Sequence, residues 1–531
     1  MTSETRAAQP PNNIRVILIG LMTAMMLAML DNMIVSTALP RIVGEFGGLN
    51  HFTWVVTAYV LGTTVSTPIW GKLGDLYGRK TVFLSSVVLF LVGSALCGMA
   101  GMELLGGSGN GMTELIAFRA VQGLGAGGLM VGVMAIIGDL VPPRERGRYQ
   151  GMMAGVMAVA MVAGPLLGGF ITDHLSWRWA FYVNLPLGGV ALLVLVTSMH
   201  LPKYRTEHRI DWLGAGLLSV AITAIVLITT WGGNEYDWAS PQILGLAALA
   251  AVAGVVFGFV ERRAPEPILP LSLFRNRNFA LISGIGFLLG FTMFGAMNFL
   301  PLFQQTVQGA SATGSGLLLL PLMFGMLVVS LVVGRLITKT GRYRIFPIIG
   351  GLAMVAGTGI LTLLDVHTTK TQIGLYMVVL GVGMGFLMQT SMLIAQNSVA
   401  QRDLGAASGA ATFFRSIGGS FGVSLFGAIF AHRLTDQLTH RFGEATAEQF
   451  TAGGAGGGGL NPDSLATLDP QQKLGALTSL AESISGVFGW AMLVAIAVPI
   501  LAWFIKEIPL RGSGPAPAPA AAASAPEPAT A

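Results

Sequence analysis

Gly71-Lys-Leu-Gly-Asp-Leu-Tyr-Gly78-Arg79-Lys80 and, in the second half of the chain, Gly334-Arg-Leu-Ile-Thr-Lys-Thr-Gly341-Arg342 share one spacing, G-x-L-x-x-x-x-G-R. Each follows one apolar stretch of helix length and leads into another. Glycine lets the chain reverse tightly there, and basic residues hold such a loop on the cytoplasmic side of a membrane. A motif that recurs at equivalent places implies duplication: two bundles of six helices, joined by an extra pair over 211–261. Internal repeats of this kind mark transporters. In the second copy Thr338 stands where the first has Asp75, so the role of that acid does not carry across.

Working outward from these loops, fourteen apolar stretches lie near 15–38, 52–71, 81–101, 113–139, 148–172, 180–200, 211–231, 241–261, 279–304, 314–338, 345–364, 371–396, 405–431 and 484–505. A membrane-crossing helix needs about 20 residues, and the short polar/apolar alternation of a membrane barrel is absent. Charged residues make up 10% of the 531, hydrophobic residues 53%, and glycine adds 72. A soluble domain carries about 25% charged residues. A soluble α/β protein and a disordered chain are therefore excluded. The net charge of +5 is scattered over small loops, which excludes a nucleic-acid-binding surface.

The basic residues orient the chain. Of the 30 Lys and Arg, 22 fall on one set of alternate connections, including Arg15, Lys72, Arg79, Lys80, Arg144, Arg146, Arg148, Arg335 and Arg342. Six fall on the other set, and Arg119 and Arg415 lie inside spans. The positive-inside rule then puts both termini in the cytoplasm, which requires an even number of spans. The organisation read from this pattern is a cytoplasmic N-tail over 1–13, an N-terminal six-helix bundle over 14–201, two linker transmembrane helices over 202–262 and a C-terminal six-helix bundle over 263–506. That last bundle includes an external loop over 432–483, glycine-rich and with a short helix near 471–483. A Pro/Ala-rich disordered cytoplasmic tail follows over 507–531. The run from Val16 to Pro40 is too long for a signal peptide and reads as a retained span. Cys97 is the single cysteine, so neither an internal disulfide nor a multi-cysteine metal site is available.

Further motifs fall in order along the spans. They are Leu30-Asp31 through Ala38-Leu39-Pro40; Arg119-Ala-Val-Gln122-Gly123-Leu-Gly125; Gly164-Pro165-Leu-Leu-Gly168-Gly169; Trp177-Arg178-Trp179-Ala-Phe181-Tyr-Val-Asn184-Leu-Pro186; Leu273-Phe274-Arg275-Asn-Arg277-Asn-Phe279; and Arg415-Ser-Ile-Gly418-Gly419-Ser420. Together with Gly71–Lys80 these residues resemble the major facilitator superfamily, specifically its 14-helix drug:proton antiporter (multidrug efflux) branch, over about residues 14–506. The fifth-helix motif departs from the family pattern in one place: Gly151 matches its first glycine, but Ala160 replaces its second. The resemblance implies an all-α polytopic membrane protein of two six-helix bundles plus two linker helices, multi-pass in a bacterial inner (cytoplasmic) membrane. It further implies a monomer that meets a small-molecule substrate, protons and the lipid bilayer, with the proton gradient as its energy source and no cofactor.

Asp31 has no basic residue near it in its own span. A carboxylate in hydrocarbon costs several kcal/mol unless it protonates, pairs or faces water. Proton coupling is the functional reading; a hydrogen-bonded structural acid is the alternative. Arg119 cannot shed its proton, and so it either tunes that acid, the role implied by the resemblance, or ties helices through carbonyls. Gln122, one turn on, can share its network. Arg415 either attracts an anionic group or pairs with Asp31 across the cavity.

Gly71, Asp75, Gly78, Arg79 and Asp139 form a candidate cytoplasmic gate, with a solvated loop as the alternative; a carboxylate there suits a helix N-terminus of the other bundle. Gly164, Pro165, Gly168 and Gly169 give close packing and a kink. Met29, Met33, Gln122, Phe294 and Asn298 are candidates for a substrate cavity, Met for its adaptability, although lipid-facing Met is commoner. No G-x-x-x-x-G-K-[ST] loop offers direct ATP drive, and no spacing suits a metal or an enzyme's catalytic set. No acid lies in the tenth span between Gly314 and Gly334, which weighs against divalent cationic drugs.

The expectation is a proton-coupled exporter of amphipathic or cationic drugs. The alternative is a dedicated exporter of an endogenous metabolite, lipid or antibiotic, and a remote one is a polytopic receptor or scaffold acting through loop 432–483.

Overall fold

In a computed structural model of the chain the described residues are 14–46, 52–102, 111–199, 211–233, 235–310, 317–443 and 469–510. They form helices α1 (Ile14–Phe46), α2 (Phe52–Tyr77), α3 (Arg79–Met99), α4 (Gly111–Leu140), α5 (Pro143–His174), α6 (Trp179–Tyr182), α7 (Asn184–Ser198), α8 (Trp212–Trp231) and α9 (Pro241–Glu261). The series continues with α10 (Arg277–Thr306), α11 (Leu320–Thr340), α12 (Ile345–Leu361), α13 (Lys370–Asn397), α14 (Leu404–Phe442) and α15 (Pro470–Trp503). Helices α6 and α7 run end to end as one apolar stretch. Among the described residues eleven stretches are long and apolar enough to cross a membrane; α2 and α5 fall outside that set, and α12 is shorter, at 17 residues.

The duplication read from the two loops extends to the backbone and the packing. Gly78 and Gly341, the second glycines of the two motifs, both take positive φ, 92° and 68°, a conformation that strains any other side chain. In the first half Gly62 of α2 lies so close to α4 that a Cβ would stand 2.6 Å from the Ala120 carbonyl, and Gly93 of α3 would meet Gln122 of α4 at 2.6 Å. In the second half Gly325 of α11 and Gly357 of α12 meet α13 in the same way, at 2.7 Å from the Val378 carbonyl and 2.6 Å from Leu380. Small residues permit this approach where lipid provides no hydrophobic drive between helices. Gly93→Val should therefore push α3 off α4. Overpacking costs about 1–3 kcal/mol, and a fall of several degrees in the unfolding temperature of the detergent-solubilised protein checks it.

The two halves meet at the end that carries Gly71–Lys80, the basic end. There α2 packs on α14, Gly71 against Gly405, and further along the halves α5 packs on α11. Linker helix α8 touches both halves towards the opposite end: Trp231 sits edge-on to Trp54 of α2 at 5.4 Å, and the Thr229 carbonyl accepts from Ser424 of α14.

The structure corrects the limits of the 432–483 loop. Helix α14 runs on to Phe442 and α15 begins at Pro470, so the short helix foreseen near 471–483 is the first part of α15. Arg441 joins Glu482 across these extensions at 2.7 Å. Hydropathy marks where apolar residues stop, while helical hydrogen bonding continues into polar sequence. The glycine run of that loop, and both tails (1–13 and 511–531), lie outside the described residues.

Candidate functional site

Asp31 lies 17 residues along α1, about 26 Å from its start at 1.5 Å per residue. Its Oδ2 accepts from Arg119 Nη1 at 2.6 Å, and its Oδ1 accepts from Gln122 Nε2 at 2.8 Å and Asn184 Nδ2 at 2.7 Å. Arg119 Nη1 also donates to Gln122 Oε1 at 2.8 Å, and its Nε reaches the Val55 carbonyl at 3.4 Å. The guanidinium lies 4.0 Å over the Tyr59 ring, a cation–π contact. Asn184 donates in turn to Ser94 Oγ at 2.9 Å, and Ser94 donates to the Phe181 carbonyl at 2.9 Å. Asp31, Arg119 and Gln122 are all 0% exposed. The cluster draws on α1, α2, α3, α4 and α7, so five helices of the N-terminal half hold one neutral ion pair.

Such a pair persists in hydrocarbon because each charge has its partner and its hydrogen bonds. Loss of either charge would strand the other in a site with no exposure. Sequence reasoning missed Asn184, Ser94 and Tyr59; a lone asparagine within an apolar stretch was the available signal for Asn184. Cys97, buried, sits 3.7 Å from Gln122 Oε1. As the single thiol it should resist maleimide in the folded protein and react only when the cluster opens, which mass spectrometry of labelled protein reads directly.

At the basic end Asp75 crosses between the halves. Its Oδ1 accepts from the Gly405 N–H at 3.0 Å and its Oδ2 from the Ala406 N–H at 2.8 Å, at the N-terminus of α14. Those N–H groups lack helical partners, and the helix dipole favours an anion there. Arg79 Nη2 pairs with Asp75 at 2.7 Å, and Arg79 Nε pairs with Asp139. Gly71 lets α2 approach: a Cβ there would stand 2.6 Å from the Gly405 carbonyl. Lys72 joins Glu266 at 2.7 Å, and Gln396 Nε2 reaches the Met134 carbonyl at 3.2 Å. The side chains of Arg144, Arg146 and Arg148 lie outside the described residues.

The remaining candidates separate. Gln122 spends its amide on Asp31 and Arg119 and lines no open space in this conformation. Met33 sits in the α1–α5 seam, where a Cβ on Gly164 would come within 3.1 Å of its Cγ, so it packs helices. Gly168 and Gly169 accept from Thr172 at 2.8 and 3.0 Å, and a Cβ on Gly169 would meet no atom within 4 Å, so this glycine serves no close approach here. Pro165 lies inside α5. Met29 is half-buried, whereas Phe294 and Asn298 are exposed on one face of α10. Asp31 is taken by Arg119, so the pairing of Asp31 with Arg415 is absent here. Among the described residues no group of three or more His, Cys, Asp or Glu side chains converges as a metal site.

Residues 21–423 match the family model described as Major Facilitator Superfamily. The uncharacterized MFS-type transporter MT1926 of Mycobacterium tuberculosis is 41% identical over 496 residues, covering 93% of this chain and 70% of its own. The multidrug transporter protein MdtP of Bacillus subtilis is 39% identical over 513 residues, covering 92% and 93%. Among solved structures, the human organic anion transporter MFSD10 superposes with a TM-score of 0.60 at 13% identity, over 92% of this chain and 100% of that one. This last likeness shows the shared fold alone.

Proposed function

The chain belongs to the Major Facilitator Superfamily, and from that premise we propose that it is a proton-coupled exporter of amphipathic small molecules across a bacterial cytoplasmic membrane. In this reading all fourteen long helices span the bilayer, and the basic end and both termini face the cytoplasm. The observation that carries it is the sealed Asp31–Arg119 pair, within one half of a molecule whose halves close against each other at the basic end. The name of the relative MdtP supports the cargo class.

With the basic end closed, a proton arrives at Asp31 from outside. It discharges the carboxylate and releases Arg119 to the Val55 carbonyl and the Tyr59 face. Asn184 has an unused acceptor, Oδ1; by turning its amide it can receive the new O–H, since an amide offers both a donor and an acceptor end. The loosened N-terminal half then parts from the other at the basic end, and Asp75 leaves α14. Cargo enters from the cytoplasm as the proton departs inward. The re-formed ion pair favours the closed basic end, and cargo leaves outward. Cargo and proton can shift this equilibrium only as far as they bind the two conformations unequally.

In proteoliposomes under an imposed pH gradient, the wild-type protein should move amphipathic dyes against their concentration gradient, and an ionophore that collapses the gradient should stop this. Equal dye movement with the gradient intact and collapsed would defeat the reading.

A further inference from the structure

We infer that Arg415 is an anion-binding subsite in the C-terminal half, and that the exported molecule carries a carboxylate, sulfonate or phenolate on an aromatic or amphipathic body. The inference rests on the export reading and narrows its cargo.

Arg415 lies 11 residues into α14, about 16 Å from the start of the helix. In a hydrocarbon layer about 30 Å thick this is near the midplane. Its backbone is held tightly, with the α-carbon 3.1 Å from where a Cβ on Gly290 of α10 would stand. Its side chain is not: no described residue gives the guanidinium a hydrogen bond, and no carboxylate bears on its charge. Arg119, by contrast, engages Asp31, Gln122 and the Val55 carbonyl. Phe413 and Ile417, two positions to either side on the helix, are buried, and Arg415 itself is half-buried.

Aromatic rings lie along the same two helices. Phe287 of α10 lies 6.0 Å from Phe421 of α14. Phe294 covers Gly419, one turn beyond Arg415 on the same face, yet stays 38% exposed. The α10–α14 seam thus carries a cation and, one turn on, accessible rings, which suits a flat apolar body with one negative end.

Charge balance selects the sign. Asp31 and Arg119 neutralise each other. Asp31 is sealed behind three donors at 0% exposure, so it serves neither a cationic cargo nor Arg415 in this conformation. A lone cation deep in a membrane must find an anion or water, and an anionic cargo supplies one while its apolar body meets the rings.

The test uses the purified full-length protein in phosphatidylcholine nanodiscs. Binding of two xanthene dyes, anionic carboxyfluorescein and cationic rhodamine 6G, is read by fluorescence polarisation for wild type, Arg415→Gln and Arg415→Lys. Wild type should prefer the anionic dye. Arg415→Gln should weaken it about ten-fold, the worth of one charge-assisted hydrogen bond, and leave the cationic dye as tight or tighter. Arg415→Lys should restore most of the loss. Equal losses for both dyes, no change for either, or no binding of either by wild type would overturn the inference. Complete displacement of the anionic dye by chloride, or its binding only when phosphatidylglycerol is present, would assign Arg415 to an inorganic ion or a lipid and overturn it as well. Efflux measured alongside keeps the two readings apart: if Arg415→Gln still exports the cationic dye, export stands whatever the binding decides.

Discussion

Asp31→Asn should abolish gradient-driven efflux while leaving cargo free to move down its own gradient. Asparagine fills the same space and can keep part of the hydrogen bonding, but it carries no charge and cannot take up a proton. Arg119 then remains 0% exposed without its counter-ion. Breaking a buried pair from one side costs roughly 3–5 kcal/mol, so the single variant should also melt several degrees lower. This gives the prediction an internal control. Asp31→Asn combined with Arg119→Gln removes the stranded charge and should recover the melting temperature, yet it should not recover concentrative efflux. If the double variant regains both, the cluster is a structural tether. If Asp31→Asn alone concentrates dye as well as wild type does, Asp31 is not the coupling acid.

Asp75→Ala should have the second-largest effect. The carboxylate satisfies two N–H groups of the other half and holds Arg79 against Asp139. Alanine leaves those donors to water and sets Arg79 free of one partner. A hydrogen bond to a charged group contributes about 1.5–3 kcal/mol, so losing even one of the two shifts the balance towards an open basic end by a factor of about ten or more. Efflux should fall accordingly, because a conformation that rarely closes cannot complete the cycle. The shift can be read without transport. Ser408 is 0% exposed beneath this contact. With Cys97→Ser removing the native thiol, Ser408→Cys should label slowly when Asp75 is present and several-fold faster in Asp75→Ala. Equal labelling rates would remove Asp75 from the closure.

The fold was legible because it is written twice. The G-x-L-x-x-x-x-G-R loops mark equivalent turns, and the positive φ of Gly78 and Gly341 gives the physical reason for the second glycine in each. Apolar stretches located the helices well but not their ends. Helix α14 continues to Phe442 and α15 starts at Pro470, since backbone hydrogen bonding does not stop where side chains turn polar. Within the site, Asp31, Arg119 and Gln122 stand out as polar residues in apolar spans. What spacing does not supply is who meets whom. Asn184 and Ser94 enter the cluster because α7 and α3 pass beside α1, a tertiary fact that a polar residue in an apolar stretch hints at without naming its partner. For the same reason the choice of partner for Asp31 was open between Arg119 and Arg415, and the structure pairs it with Arg119 in its own half. Met33 packs against Gly164 in the α1–α5 seam, a contact that its residue type alone does not reveal.

The most direct test of antiport is to watch the proton itself. Proteoliposomes carrying wild-type protein and an entrapped pH-sensitive dye are given, with no imposed pH gradient, the amphipathic compound that the protein moves fastest. The account predicts that cargo moving one way down its gradient drives protons the other way, so that the lumenal pH changes with the sign of countermovement, and that Asp31→Asn carries cargo with no pH change. Cargo flux through wild type with no accompanying proton movement, or with protons travelling in the same direction, would contradict it.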